Sequence, residues 1–177
     1  MKTIALLRHA KSDWDAGASS DFDRPLSKRG RAAASAMGRF IRRECGGYDH
    51  VLVSPARRCR ETWDGVCEAC EDRPNVELVD AIYLASAGNL LELLREQDDS
   101  SNRLLIVGHN PGLTYLALEL IREDDAQEER ERIAQKFPTA AFVELECEID
   151  RWADLKTAAC RLERRRYPVE EKIGAKA

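Results

Sequence analysis

The sequence has 177 residues, a length that suits one domain with a buried core. Hydrophobic residues make up 44% and charged residues 34%, which is typical of a globular protein with a well-solvated surface. The formal net charge is −4, so the basic footprint of a general nucleic-acid binder is absent. No apolar run approaches the roughly 20 residues that cross a bilayer, and the apolar start meets Arg8 too soon for a signal peptide. We therefore expect a cytoplasmic protein with neither a membrane nor a nucleic acid as its partner.

The six cysteines are too sparse for a disulfide scaffold, and in a reducing compartment we expect them as thiols. Cys67 and Cys70 have the CxxC spacing of metal and redox sites. A zinc site would need a second close pair of Cys or His, which the other cysteines do not provide. A thioredoxin-type pair would lie at a strand-to-helix turn, whereas this pair falls late in a predicted helix. We interpret the cysteines as small packing side chains and expect no metal or other cofactor.

Strands and helices alternate along most of the chain. Apolar runs predict strands over residues 2–7, 50–53, 76–79 and 103–107, an alternating outer strand over 141–148, and one more over 158–163. Helices are predicted from Ser27, its N-cap, to about 44, over 54–70, around the leucines of 90–94, and over 112–121. The charge-rich stretch 119–135 is typical of a solvated helix face or a surface excursion. This order predicts one α/β domain over residues 1–177, a three-layer α/β/α sandwich with a mainly parallel central sheet and a frayed tail from about Arg164.

Unusual polar residues follow three of the predicted strands. Arg8 and His9 follow the first strand, the Arg57–Arg58 pair comes soon after the second, and His109 follows the fourth. Taken singly, each has an ordinary interpretation: a strand-end histidine is often structural, and two arginines often form a solvated helix face. In a parallel sheet, however, ligands collect beyond the carboxyl ends of the strands, where all of these residues converge. Two imidazoles with at least two guanidiniums predict a pocket for a dianion, most simply phosphate.

Two reaction classes would use such a pocket. A zinc hydrolase would need histidines with carboxylates or thiolates, and adjacent guanidiniums would oppose the cation. Covalent phosphoryl transfer would use a neutral histidine as nucleophile, with guanidiniums stabilising the charge on the phosphoryl oxygens and no metal. The residue types favour the second class.

The residues that predict this pocket also resemble a known family. The sequence is similar to the histidine phosphatase superfamily, whose fold is phosphoglycerate mutase-like, and within it to the small SixA-like phosphohistidine phosphatases. The similarity runs in order along nearly the whole chain. The segments that carry it are 7–14 (LRHAKSDW), 21–27 (DFDRPLS), 29–30 (RG), 54–62 (SPARRCRET), 107–112 (VGHNPG) and 137–141 (FPTAA).

The resemblance implies a role for each residue that matches the family pattern. His9 would be the nucleophile, Arg8 and Arg58 would bind the phosphoryl group, and His109 would donate to one of its oxygens. Arg58 is preferred to Arg57 because the family pattern is Ser-Pro-x-x-Arg-x-x-x-Thr, although one sequence leaves a swap open. Further substrate-binding candidates are Lys11, Ser12, Arg57 and Asn110. The third position of the first motif is usually glycine and is Ala10 here, a change of one methyl group that touches no catalytic group.

The substrate is inferred from what the sequence lacks. An alkoxide leaves badly unless an acid protonates it, and Asp80 and the glutamate-rich stretch after Glu119 are acidic candidates without a motif. A phosphoramidate can be protonated on its own nitrogen, so phosphohistidine on a partner protein is the favoured substrate. Small phosphate esters, and a binding module that senses phosphorylated partners without hydrolysis, remain alternatives. A nucleic-acid role would rest on the arginines 161 and 164–166, which we interpret as a solvated terminal segment.

Overall fold

The computed structural model describes residues 1–69, 74–124 and 126–168. Its strands are β1 (Lys2–Arg8), β2 (His50–Val53), β3 (Asn75–Leu78), β4 (Arg103–Gly108), β5 (Phe142–Cys147) and β6 (Cys160–Arg166). Its helices are α1 (Lys28–Glu44), α2 (Arg57–Ala69), α3 (Ala87–Arg95), α4 (Gly112–Leu120) and α5 (Gln127–Gln135). Within this part of the chain, no helix is long and apolar enough to cross a membrane.

The strands form one sheet in the order β3-β2-β4-β1-β5-β6. β1, β2, β3 and β4 pair in parallel, and β5 pairs antiparallel with both of its neighbours. Along the central strand β1, alternate residues face opposite cores: Ile4 and Leu6 pack with α3, α4 and α5, whereas Ala5 and Leu7 pack with α1 and α2. The sheet is therefore covered on both faces, which confirms the predicted α/β sandwich with a mainly parallel sheet.

Helix α1 begins where the sequence predicts. The Ser27 side chain accepts a hydrogen bond from the Gly30 amide, which satisfies one of the free N–H groups of the first turn. Met37 and Ile41 lie on the buried face. The chain then leaves the helix through Gly46, whose φ of 74° is a conformation that glycine adopts without strain.

The position of β5 corrects the sequence prediction. Its alternating glutamates predict an outer strand, but β5 lies between β1 and β6 and its Glu144 is buried. The carboxylate accepts hydrogen bonds from Tyr48, Arg103 and Arg164, and these partners replace the water that an outer strand would offer.

The end of the chain also differs from the prediction. β6 continues to Arg166, so the tail predicted to fray from about Arg164 is ordered over its first residues. Arg164 and Arg165 hold it through ion pairs with Glu144 and Glu129. Residues 169–177, the rest of that predicted tail, lie outside the described residues.

Two cysteines are not the thiols that the sequence predicts. Cys147 and Cys160 are directly opposite in the β5–β6 register and form a disulfide. Cys45 and Cys59 are buried, in keeping with the interpretation as packing side chains. The CxxC hypothesis falls on Cys70, which lies outside the described residues.

Candidate active site

The two strand-end histidines meet because their strands are neighbours. β1 and β4 are parallel and in register, with Arg8 opposite Gly108, so the next residue of each strand leaves the sheet at the same point. The His9 amide donates to the Gly108 carbonyl at 3.0 Å. The ring centroids of His9 and His109 are 5.3 Å apart. Residues separated by a hundred positions thus form the centre of one site at the carboxyl edge of the sheet.

His9 is held in one tautomer. Its Nδ1 lies 2.8 Å from the Ala10 carbonyl oxygen, which can only accept, so Nδ1 carries the proton and Nε2 keeps its lone pair. The Ala10 amide donates in turn to the Thr62 hydroxyl at 2.9 Å, which fixes the loop. Burial lowers the pKa of His9 to about 3, so the ring is neutral at physiological pH. A neutral imidazole with a free Nε2 is a competent nucleophile.

His109 is held in the opposite tautomer. Arg58 Nη2 lies 3.2 Å from His109 Nδ1, and because a guanidinium only donates, Nδ1 is the acceptor. The proton is therefore on Nε2, which donates to the Ser54 hydroxyl at 2.8 Å. Burial, together with the charge of Arg58, lowers the pKa of His109 to about 4. Nδ1 is therefore the ring nitrogen of His109 that has no proton of its own.

Asp21 anchors the buried guanidinium of Arg58. Its backbone carbonyl accepts from Arg58 Nη1 at 2.6 Å and its carboxylate from Nη2 at 3.0 Å. The same carboxylate accepts from Arg24 at 2.7 Å and from the Tyr83 hydroxyl at 3.1 Å. Slight burial would raise the pKa of Asp21, but the hydrogen bond from Arg24 and the charge of Arg58 outweigh it and hold that pKa below its usual value. The carboxylate is thus an anchor that stays ionised.

Arg8 reaches the site from the end of β1. Its Nη1 donates to the Phe137 carbonyl at 2.7 Å, and the Asn110 amide donates to the same oxygen at 3.1 Å. The buried Nε atoms of Arg8 and Arg58 have no hydrogen-bond partner among the residues that the structure describes. Because guanidiniums only donate and stay charged, the two side chains suit the oxygens of a phosphoryl group.

Comparisons with known proteins agree with this geometry. The sequence model of the histidine phosphatase superfamily (branch 1) matches residues 4–83. An uncharacterized protein of Mycobacterium tuberculosis is 35% identical over 158 residues, which cover 88% of this chain and 96% of that protein. Two solved structures are described as candidate phosphohistidine phosphatases SixA. The one from Nakamurella multipartitia has a TM-score of 0.82 at 27% identity and covers 95% of this chain and 96% of its own.

The second SixA structure, from Agrobacterium tumefaciens, has a TM-score of 0.79 at 28% identity and covers 94% of this chain and 98% of its own. The chain belongs to the histidine phosphatase superfamily, in its SixA-like branch. Its phosphoglycerate mutase-like fold, expected from the resemblance, is confirmed, and its activity is that of a phosphatase.

The remaining candidates of this SixA-like chain differ in their burial and in their hydrogen-bond partners. Arg57 is half-exposed and binds Glu61 at 2.6 Å, whereas Arg58 is buried against His109, so the geometry favours Arg58 as the second phosphate-binding arginine. Ser12 is buried and accepts from Arg24 at 2.7 Å.

Lys11 and Asp80 differ from Ser12 because neither side chain is buried. Lys11 is exposed and lines a separate groove beside α1. Asp80 is exposed and begins a short 3₁₀ turn that leads to Tyr83, whose ring meets His109 edge-on at 5.4 Å. The chemistry expected of Lys11 and Asp80 stays a prediction.

Sequence reasoning assigned no role to three residues of the site, namely Asp21, Ser54 and Tyr83. Asp21 and Ser54 lie within the motif segments 21–27 and 54–62, but their partners at the centre of the site, Arg58 and His109, are 37 and 55 positions away. Tyr83 lies outside every motif. Loop residues have no hydrophobic period, so the sequence carried no signal for these contacts beyond the motif itself.

Proposed function

We propose that this chain removes the phosphoryl group from phosphohistidine on a partner protein, through a covalent intermediate on His9 and without a metal ion. We also propose that the reaction takes place in the cytoplasm. The phosphatase reaction itself is supported by the neutral His9 with its free Nε2, by the guanidiniums of Arg8 and Arg58, and by membership of the SixA-like branch.

In the first step, His9 Nε2 attacks phosphorus in line with the leaving group. The new Nε2–P bond forms as the P–N bond of the substrate breaks, and the leaving imidazole departs with the proton on its own nitrogen. Arg8 and Arg58 stabilise the negative charge of the phosphoryl oxygens, and His109 donates to one of these oxygens after its Nδ1 has taken up a proton from solvent. This step requires no side chain that protonates the leaving group.

In the second step, water attacks the same phosphorus. Nδ1 of His9 keeps its proton, which it donates in a hydrogen bond to the Ala10 carbonyl. The intermediate is therefore a phosphorylated imidazolium. The O–P bond forms, the P–Nε2 bond breaks, and His9 leaves as the neutral imidazole with which the cycle began. The water proton passes to the released inorganic phosphate or to solvent.

The observation that carries the choice of substrate is the state of Asp21. This carboxylate touches Arg58 at the phosphate-binding end of the site, and Arg24 and Arg58 keep it ionised. An ionised carboxylate cannot protonate an alkoxide, whereas a phosphoramidate does not need that proton. Asp21 therefore supplies no proton to a leaving alkoxide, which supports phosphohistidine as the substrate.

The surface around the site supports a protein as the carrier of the phosphohistidine. Three exposed large apolar side chains lie on segments that carry the site: Trp14, Leu84 and Tyr115. The guanidinium of Arg24, which binds Asp21, lies 3.5 Å from the Trp14 ring centroid. Exposed apolar side chains around a polar pocket are typical of a protein-docking surface.

The test is phosphate release in EDTA from three substrates: a histidine-phosphorylated protein, 3-phosphoglycerate and a phosphoserine peptide. We expect release from the phosphohistidine protein at a higher kcat/KM than from the two esters, and its loss in His9→Ala. Faster release from the esters would move the activity to small phosphate esters. Binding of the phosphoprotein without any release would leave a phospho-binding module.

A further inference from the structure

A basic groove lies beside the active site, and none of the residues in the proposed mechanism lines it. The groove has a volume of about 380 Å³ and runs between α1 and the end of β6. Four cationic side chains line it: Lys11, Arg29, Arg39 and Arg166. Its floor along α1 is made of small side chains, including Ala32 and Ala36, which are exposed and leave the cations accessible.

The four cations differ from most arginines of this chain in having no acidic partner. None of them forms an ion pair with a carboxylate among the residues that the structure describes, in a chain with net charge −4. The contrast is clear on β6, where Arg164 and Arg165 pair with glutamates while Arg166 lies over the Phe40 ring. Like charges that face one groove without counter-charges repel each other, and an anionic ligand would remove that repulsion.

The walls of the groove are joined to the catalytic loop through backbone hydrogen bonds. Lys11 lies two residues after His9, and its carbonyl accepts hydrogen bonds from the Ser27 amide and hydroxyl at the start of α1. On the other wall, Thr139 precedes Ala140, whose amide donates to the carbonyls of both Arg8 and His9. The groove is therefore adjacent to the loop that carries His9, where residues that flank a bound phosphohistidine would lie.

We propose that this groove binds an acidic segment, rich in Asp and Glu, next to the phosphohistidine of the protein substrate. The inference rests on the proposed function, because it assigns the groove to the substrate of that same site. Charge complementarity selects the ligand: four cations above a floor of alanines fit several carboxylates in an extended chain better than an apolar or a basic segment. The groove then determines which phosphohistidine proteins are substrates, while the central site performs the chemistry.

The test compares two synthetic phosphohistidine peptides that differ only in four flanking residues, Glu in one and Gln in the other. The wild-type chain is expected to have a KM at least about tenfold lower for the Glu peptide at low ionic strength, and to lose most of this preference at high salt. Arg29→Glu/Arg39→Glu reverses two exposed charges of the groove and is expected to abolish the preference. Its turnover of the small substrate phosphoramidate should remain that of the wild type.

A matched control variant carries the same change of net charge at the opposite edge of the sheet. Arg151 and Lys156 are exposed and follow β5 near the amino end of β1, so Arg151→Glu/Lys156→Glu is expected to keep the full preference for the Glu peptide. Equal KM values for the two peptides in the wild-type chain would overturn the proposal. Equal losses in the groove variant and the control would overturn it as well, because they would reflect net charge alone.

Two further measurements identify the ligand of the groove. Binding of the unphosphorylated Glu peptide, followed by fluorescence anisotropy, does not depend on turnover; binding that is lost in the groove variant would support the groove even if no phosphohistidine peptide were hydrolysed. The chain itself has an acidic pair, Glu170 and Glu171, soon after Pro168 of the groove. If Glu170→Gln/Glu171→Gln strengthened peptide binding at least about tenfold, the chain's own carboxylates would be the ligand and the assignment to a partner would be wrong.

Discussion

Arg57 and Arg58 are adjacent in sequence, yet the fold gives them different surroundings. Arg58 is buried between Asp21 and His109, whereas Arg57 is half-exposed on Glu61. We expect Arg58→Ala to lower kcat by about 10²–10³, the usual cost of removing one transition-state donor. Arg57→Ala should change kcat by less than about threefold, since an exposed ion pair contributes little.

Steady-state kinetics of both variants on one phosphohistidine substrate measure this difference. A loss in Arg57→Ala as large as that in Arg58→Ala would contradict the assignment, because it would show that the exposed guanidinium reaches the phosphoryl group during turnover.

The lowered pKa of His9 predicts the acid side of the pH–rate profile. Protonation at Nε2 would stop the attack, and burial lowers the pKa for that protonation from 6.5 to about 3. We therefore expect kcat/KM to show no loss attributable to His9 as the pH falls from 8 to 5, whereas an unperturbed imidazole would lose activity below 6.5. His9→Ala, measured at each pH, provides the rate of uncatalysed hydrolysis to be subtracted. An acid limb near 6.5 would mean that the ring is solvated in the working enzyme.

At the scale of the elements, the start of α1 is fitted against the catalytic loop. A Cβ atom at Gly30 would lie 2.1 Å from the Lys11 carbonyl oxygen, so any side chain there forces the helix and the loop apart. We expect Gly30→Ala to lower the free energy of unfolding by about 1–3 kcal/mol, the usual cost of overpacking. It should also lower kcat, since His9 lies two residues from Lys11.

Gly88 in α3 is the matched control for Gly30. A Cβ atom there would come no closer than 3.9 Å to any neighbour, so Gly88→Ala should raise stability by up to about 1 kcal/mol through its better helix propensity. Urea unfolding of the two variants gives the comparison. Shifts of the same sign would show that α1 can move away from the loop at little cost.

The sequence predicted the elements whose signal is local. β1, β2 and β4 are short apolar runs, and the cap at Ser27 is a local pattern, so their existence and approximate bounds were predictable. The convergence of His9 and His109 was predictable from the rule that parallel strands end at one edge. The order of the strands was not part of that prediction.

The errors occur where distant partners decide the outcome. The buried Glu144 depends on Arg103 and Arg164, which lie 41 and 20 positions away, and the disulfide depends on the β5–β6 register. An alternating pattern of polar residues indicates which side chains share a face of the strand. It does not indicate whether water or another side chain lies over that face.

At the scale of the whole molecule, the two buried imidazoles make stability depend on pH. In the unfolded chain each histidine takes up a proton below pH 6.5, but in the fold they do so only near 3 and 4. The unfolded state therefore binds more protons as the pH falls from 7.5 to 5.5, and the fold loses stability in that window. We expect a loss of about 2–3 kcal/mol for the pair.

Urea unfolding at pH 7.5 and 5.5 measures this loss, with His9→Asn/His109→Asn as the variant that should remove most of it. The window lies above the range in which ordinary carboxyl groups titrate, so the two histidines dominate it. A pH dependence that the double variant retains would place its origin elsewhere in the molecule.

The neighbouring positions of β1 and β4 have a consequence for how folding can be observed. His9 follows the first strand and His109 the fourth, and the helices that cover both faces of the sheet come from the intervening and following chain. A partly folded form that lacks this central pairing cannot bring the two imidazoles within 5.3 Å of each other. The rate at which phosphatase activity returns after dilution from denaturant would therefore report the rate at which β1 and β4 pair at the centre of the sheet.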